Sequence, residues 1–304
     1  METVLTLFLQ IVKMFIMLGV GYYLYKKNIT DDKIVTGLSN LLLFLATPAT
    51  LLNSFIQEYS TEKTMNLAFA FIAAFALHVV FVIAAEIIYK KDEGEKKFGI
   101  PFSNAGFIGI PLVTGVFGAQ AVFYLAPFIG MFNIFVWSYG IWIMSRDLKE
   151  VSFKKIITNP AIVALIAGVI IYMLKIVVPS PIHGAVSGFA GLNTPLAMLV
   201  LGAHVARGNL KDIFTSRSSY INCFFRLVLM PLIAIGLMAI IPSRWNEVKM
   251  IMLIAASAPI GALSPVFARM YNRDSIYAAQ SVCLSTLLSI LTMPIMMIIA
   301  QMFW

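Results

Sequence analysis

The chain has 304 residues, 60% hydrophobic and 12% charged, with a mean hydropathy of +0.90 and a formal net charge of +8. Soluble domains carry about a quarter of their residues as charges, so this composition excludes a soluble globular protein. The basic excess sits in short connections between apolar runs, which excludes a nucleic-acid-binding surface.

Runs of about 18 apolar residues span a bilayer, and ten are read in chain order: 4–25, 34–56, 65–89, 98–117, 121–145, 159–178, 185–206, 218–241, 248–270 and 275–303. The alternating segments of a membrane β-barrel, each of roughly ten residues, are missing, so the fold class expected is an all-α polytopic membrane protein. Met-Glu-Thr at the start has no basic n-region, so no cleavable signal peptide is expected. The first span holds Lys13 and closes on Gly19-Val-x-x-Tyr23-x-x-Lys26; the second carries Thr47-Pro48; the third carries His78 and, near its end, Glu86. The fourth holds, over residues 100–113, Pro101, Ser103, Asn104, Gly106, Gly109 and Pro111 where a plain span would hold Leu and Val. Backbone groups in hydrocarbon need partners, so such a broken span survives only inside protein or against a watery cavity. After the fifth span, the basic connection 146–158 is a short cytoplasmic linker between two five-helix units, 1–145 and 159–304. The sixth span closes on Gly168-Val-x-x-Tyr172-x-x-Lys175, the seventh carries Thr194-Pro195 and His204, and the eighth buries Arg226. The ninth is broken again, with Ser257, Pro259, Gly261, Ser264 and Pro265 over residues 255–267. The tenth ends on Met302-Phe303-Trp304, an aromatic interfacial anchor. Cys223 and Cys283 both lie in apolar runs and offer neither a disulfide framework nor paired zinc ligands.

Lys and Arg set orientation. The first, third, fifth, seventh and ninth connections hold sixteen of them against four in the even ones, so the odd connections are expected in the cytoplasm and both termini outside. The halves also repeat. The Gly-Val-x-x-Tyr-x-x-Lys, Thr-Pro and Ser…Pro matches recur at offsets of 149, 147 and 154 residues. Five spans separate each pair, an odd number, so the second copy is inserted upside down, a 5+5 inverted repeat of the kind alternating-access carriers use.

A broken helix exposes N–H groups at one half-helix start and C=O groups at the other half-helix end; the first attracts anions and the second cations. If spans four and nine cross, their half-helix starts converge on one polar spot, with Ser103, Asn104, Ser257 and Ser264 as neutral donors and acceptors. Thr47 and Thr194, beside their prolines, would complete the pocket; the alternative is that these prolines only bend their spans. Arg226 has two readings, an anion attractor or a tie between helices through backbone carbonyls. His78 is either a titrating group or a packed one. All fourteen carboxylates fall in connections or at span ends. A mobile cation needs a countercharge in low dielectric, so the expected substrate is an anion. No nucleophile–base pair, metal cluster or phosphate loop is assembled, so no enzyme activity, catalytic residue, metal or cofactor is expected. The partners expected are a small organic anion and the lipid bilayer.

At these residues the chain resembles the auxin efflux carrier family in its short prokaryotic form. Ser-Asn104-x-x-x-x-Gly109-Ile-Pro111-Leu is similar to that family's proline-crossed segment. Ala258-Pro259-x-Gly261 with Pro265-Val-Phe-Ala268-Arg-x-Tyr-Asn272 is similar to its ninth-helix signature. Arg226 with Pro231, and Asn193-Thr-Pro-Leu-Ala with Val200-Leu-Gly202, agree. The resemblance covers essentially the whole chain. It implies a ten-helix fold similar to that of bile-acid symporters and sodium/proton antiporters, with interleaved scaffold and transport subdomains and crossed helices four and nine. It implies an elevator-type carrier of organic anions in the plasma membrane, dimeric, with Asn104, Pro111 and Pro265 at the crossover. Plant members move indole-3-acetate and have a long hydrophilic loop between helices five and six, which here is short; bacterial members are associated with dicarboxylates such as malate or malonate. A carrier of auxin-like aromatic acids is the alternative. A sodium-coupled symporter of the bile-acid type is another, and it would want acidic or Gln ligands at the crossover, where this sequence has none.

Overall fold

The computed structural model describes residues 2–90, 92–208 and 210–304; Met1 and Lys91, which entered the sequence reading, lie outside them. Named elements among these residues are all helical, as hydrocarbon requires of a chain that must satisfy its own backbone. In order they are α1 Glu2–Lys26, α2 Asp32–Phe55, α3 Thr61–Ile88, the short α4 Gly94–Phe98, α5 Ala105–Phe117 and α6 Ala119–Ser145. Then follow α7 Pro160–Met173, α8 Ser180–Arg207, α9 Arg217–Ala239, α10 Asn246–Ser257, α11 Ser264–Met270 and α12 Ser275–Gln301. Seven of these are long and apolar enough to cross a membrane: α1, α2, α3, α6, α8, α9 and α12. An eighth span results if Leu148–Ile157 and α7, bent by 41° at their junction, count as one. The chain is a polytopic helical membrane protein.

Residues 98–117 and 248–270 are not continuous helices. Each is interrupted, between α4 and α5 and between α10 and α11, at the stretches rich in Pro and Gly. Three of the four π-helical turns have a related cause. Leu42–Ala46, Ala105–Gly109 and Phe225–Leu229 each end two residues before a proline, Pro48, Pro111 and Pro231. A proline offers no N–H and its ring clashes with the carbonyl four residues back; widening that turn relieves the clash and bends the helix. The fourth, Val136–Gly140, has no such proline behind it.

Packing is reciprocal between the halves. Helix α1 runs along the second half of α8, while α7 runs along the second half of α2. The first contact is close: a Cβ at Gly21 would meet the Leu199 backbone and one at Gly202 the Leu18 backbone, so only glycine fits. Small residues that let backbones approach are the usual adhesive of membrane helices. On the other side, α3 lies against α6, and α12 against α9, α10 and α11.

The basic connections gather at one end. Arg207 pairs with Asp32 at 2.7 Å, Arg146 with Asp92 at 3.7 Å, and Arg273 Nε donates to the Met144 carbonyl at 3.0 Å. At the opposite end the Ser60 amide donates to the Tyr172 hydroxyl at 3.1 Å, and Lys175 sits 4.4 Å above the Tyr59 ring. Lys249, counted with the connections on sequence, instead lies buried within α10, where its Nζ donates to the Ile241 carbonyl at 3.0 Å.

Candidate functional site at the helix crossover

The two interruptions meet. Ser103 and Ile260 form an isolated antiparallel bridge, in which the Asn104 amide donates to the Pro259 carbonyl at 2.7 Å and the Gly261 amide to Phe102 at 2.8 Å. Position 261 is tight, because a Cβ there would lie 3.2 Å from the Phe102 carbonyl oxygen. The Ile260 amide donates to Ser285 Oγ at 3.1 Å, which ties α12 to the same ribbon.

Four half-helix ends face this ribbon. The carbonyl ends belong to α10 and to the stretch that follows α4, and Arg226 takes them. Its Nε donates to Ala258 at 3.0 Å, Nη1 to Ile100 at 2.7 Å and Nη2 to Ala256 at 2.5 Å. The side chain is fully buried, with the Phe81 ring 5.8 Å from its guanidinium carbon. A cation at helix C-termini is electrostatically favourable. Of the two sequence readings, the bonds seen are those of a tie between carbonyls.

Of the opposite ends, the start of α5 presents first-turn amides that no helix can satisfy internally, whereas at the start of α11 the Ser264 amide is bonded and Pro265 has no N–H. Three side-chain atoms in the two broken tracts are buried without a hydrogen-bond partner among the described residues: Ser103 Oγ and Asn104 Nδ2 before α5, and Ser257 Oγ at the end of α10. Buried polar groups are nearly always paired, and leaving one unpaired costs about 1–3 kcal/mol. These three make the crossover the candidate site for polar ligand atoms. Ser264 is buried, with its amide on the Gly261 carbonyl at 3.0 Å, and Pro265 follows it in the first turn of α11. Gly109 and Pro111 lie buried in the opening turns of α5, where the Pro111 carbonyl accepts from Gln10 Nε2 of α1 at 3.1 Å.

The Thr-Pro positions differ from one another. Thr47 is buried and accepts from Asn193 Nδ2 at 3.0 Å, while Thr194 is half-buried. The Thr47–Asn193 pair joins the two kinked helices α2 and α8, and the second half of α8 also packs on the Ala105–Gly109 turn. His78 puts Nδ1 2.7 Å from the Ala74 carbonyl and its ring between Phe128 and Phe135, with Nε2 buried and unpartnered. Glu86, the carboxylate read as deepest on sequence, is exposed, and it is engaged by the Lys97 ammonium and by the Tyr139 hydroxyl at 2.6 Å.

Sequence reasoning missed two contributors. Asn193 stood in a quoted motif but not among the site residues. Ser281, Ser285 and Ser289 recur every four residues on α12 and are buried, Ser281 bonded to Ser219 at 3.2 Å and Ser285 to the ribbon. That spacing puts them on one face, a polar stripe in an apolar span and the signal that would have found them. Among the described residues no group of three His, Cys, Asp or Glu stands ready for a metal.

A model of the family described as membrane transport protein matches residues 6–152 and 144–297. An uncharacterized transporter of Methanocaldococcus jannaschii is 24% identical over 291 residues, covering 91% of this chain and 93% of its own. An uncharacterized transporter of Methanothermobacter thermautotrophicus is 27% identical over 199 residues, 63% of each chain.

Proposed function

The chain belongs to the membrane transport protein family, of the auxin efflux carrier-like kind, and on that premise we propose that it is a secondary carrier of small organic anions. The reading covers a dicarboxylate such as malate or malonate, moved across the plasma membrane by an elevator-type alternation of access. It includes ten spans in a 5+5 inverted repeat, with α4–α5 and α10–α11 as spans four and nine. It also includes extracytoplasmic termini, scaffold and transport subdomains, and a homodimer.

One observation carries it. Asn104 Nδ2 and the Ser103 hydroxyl, unpaired among the described residues, stand at the ribbon that leads into α5, the unpaired Ser257 hydroxyl stands at the end of α10, and among the described residues the full charge bonded at the crossover is the Arg226 cation. Oriented N–H groups are a ready anion site. A buried positive charge with no carboxylate beside it tilts the local field further the same way. In this reading a substrate carboxylate accepts from Asn104 and the first amides of α5, with the serine hydroxyls as further donors. Arg226 acts from behind the ribbon, through the field and through the carbonyls it holds. The reciprocal packing of α1 on α8 and α7 on α2 supports the inverted repeat, since two copies related by a two-fold axis exchange the same contact.

The test is uptake of labelled malate, malonate, succinate and indole-3-acetate into proteoliposomes under imposed proton and sodium gradients. Saturable dicarboxylate uptake is expected. Asn104→Ala removes one charge-assisted bond of about 1.5–3 kcal/mol, so its kcat/KM falls roughly 10- to 100-fold. Protein that moves none of these acids but carries a cation overturns the reading.

A further inference from the structure

The carbonyl oxygens of Ile100, Ala256 and Ala258 converge on one buried point at the C-terminal ends of the half-helices that precede the two breaks. Helix-end carbonyls lack intrahelical donors and carry the negative end of the dipole. In carriers built on broken helices, unwound carbonyls and half-helix C-termini are where a coupling sodium ion sits. In this chain a side chain fills that position. The Arg226 guanidinium gives one hydrogen bond to each of the three oxygens, is fully buried, and pairs with no carboxylate among the described residues. Glu86, the carboxylate furthest into a span on sequence, is committed to Lys97 and Tyr139. A neutral donor such as Gln could reach backbone carbonyls without burying a charge, and burying a charge without a counterion is expensive. The charge is therefore the property to explain.

We propose that Arg226 is a tethered cation that permanently occupies the position of a coupling ion. Uptake through the crossover then requires no sodium, and shortening residue 226 opens a cavity that binds a small monovalent cation, guanidinium in preference to sodium. This rests on the crossover being the core of a carrier, whereas the cation position itself is read from one side chain and three carbonyls. Arg226 is a positioning residue in this account: it holds the half-helix ends and sets the local field, and does not itself grip the substrate.

The test compares melting temperatures of the purified wild type, Arg226→Lys, Arg226→Gln and Arg226→Ala in choline, sodium and guanidinium chlorides at millimolar concentration and equal ionic strength. Wild type is expected to melt at one temperature in sodium and choline, and its uptake in proteoliposomes to be unchanged when sodium is replaced. Arg226→Lys melts above Arg226→Gln, because it keeps the charge. Arg226→Ala melts lower and regains stability with guanidinium in a saturable way, more than with sodium. Sodium-dependent melting or uptake of the wild type overturns the proposal. So does a Gln variant as stable as the Lys variant, a comparison that stands even if the Ala protein does not fold. Because the melting series needs no substrate, it reads the cation position whether or not an organic acid is carried, and a failed melting series leaves the uptake result standing.

Discussion

Asn104 concentrates the chemistry in one side chain. Its amide N–H is spent on the Pro259 carbonyl, its own carbonyl receives the Ile108 amide at 2.9 Å, and its side-chain Nδ2 is left without a partner. Backbone holds the residue while the side chain waits, the division of labour a binding group needs. Asn104→Asp puts a carboxylate where an anion is proposed to sit, so dicarboxylate uptake should fall further than in Asn104→Ala, most sharply at high pH; equal activity of the two variants would count against the anion seat. Glycines give a second contrast. Gly261→Ala forces a methyl to 3.2 Å from the Phe102 oxygen, whereas a Cβ at Gly106 meets nothing within 4 Å. Gly261→Ala is expected to lower both melting temperature and uptake, and Gly106→Ala to leave the melting temperature within error. The glycines were visible in the sequence; which one the backbone needs was not, since that depends on a carbonyl about 160 residues away in the chain.

At the scale of elements, the interruptions were legible because Pro and Gly announce themselves in an apolar run. Their pairing was foreseen only as a conditional, and the ribbon that joins them left no mark of its own, because backbone hydrogen bonds carry no side-chain signature. The role of α12 was overlooked for a different reason. Serine in a membrane helix can bond its own backbone, as Ser289 Oγ does with the Thr286 carbonyl at 2.7 Å, so a serine stripe reads as neutral until a neighbour is placed against it. Ser285→Ala removes the acceptor of the buried Ile260 amide and is expected to destabilise by about 1–3 kcal/mol, seen as a lower melting temperature with a normal far-UV spectrum. An unchanged melting temperature would mean that the ribbon does not depend on α12. Arg226 was legible as an oddity of depth, but its carbonyl partners come from two other segments and could only be guessed.

For the whole molecule, composition decided the solvent and the Lys/Arg pattern proposed the orientation. The ion pairs Asp32–Arg207 and Asp92–Arg146 draw basic connections to a common end, which fits that proposal without assigning a compartment. Single cysteines at Lys63 and Lys149, in a Cys223→Ser, Cys283→Ser background, test it. A membrane-impermeant thiol reagent applied to intact cells should label position 63 and spare position 149 until the cells are opened. The reverse pattern would turn the topology over. Gly202→Leu, which sets a side chain against the Leu18 backbone, should prise α1 from α8. A loss of folded yield larger than that of Gly184→Leu, whose Cβ faces open space, is the expected result.

The crossover is fastened three ways: by the Ser103–Ile260 bridge, by Arg226 on three carbonyls and by Ser285 on the Ile260 amide. A joint riveted at several independent points does not swing open at one of them. Each broken tract can tilt, slide or turn only with the other riding along, together with α9 and α12, which supply two of the rivets. On the carrier proposal, the movement that exposes this place to one face of the bilayer and then the other displaces that whole block against its surroundings. Those surroundings include α1, which packs along α5 and whose Gln10 donates to the Pro111 carbonyl at 3.1 Å.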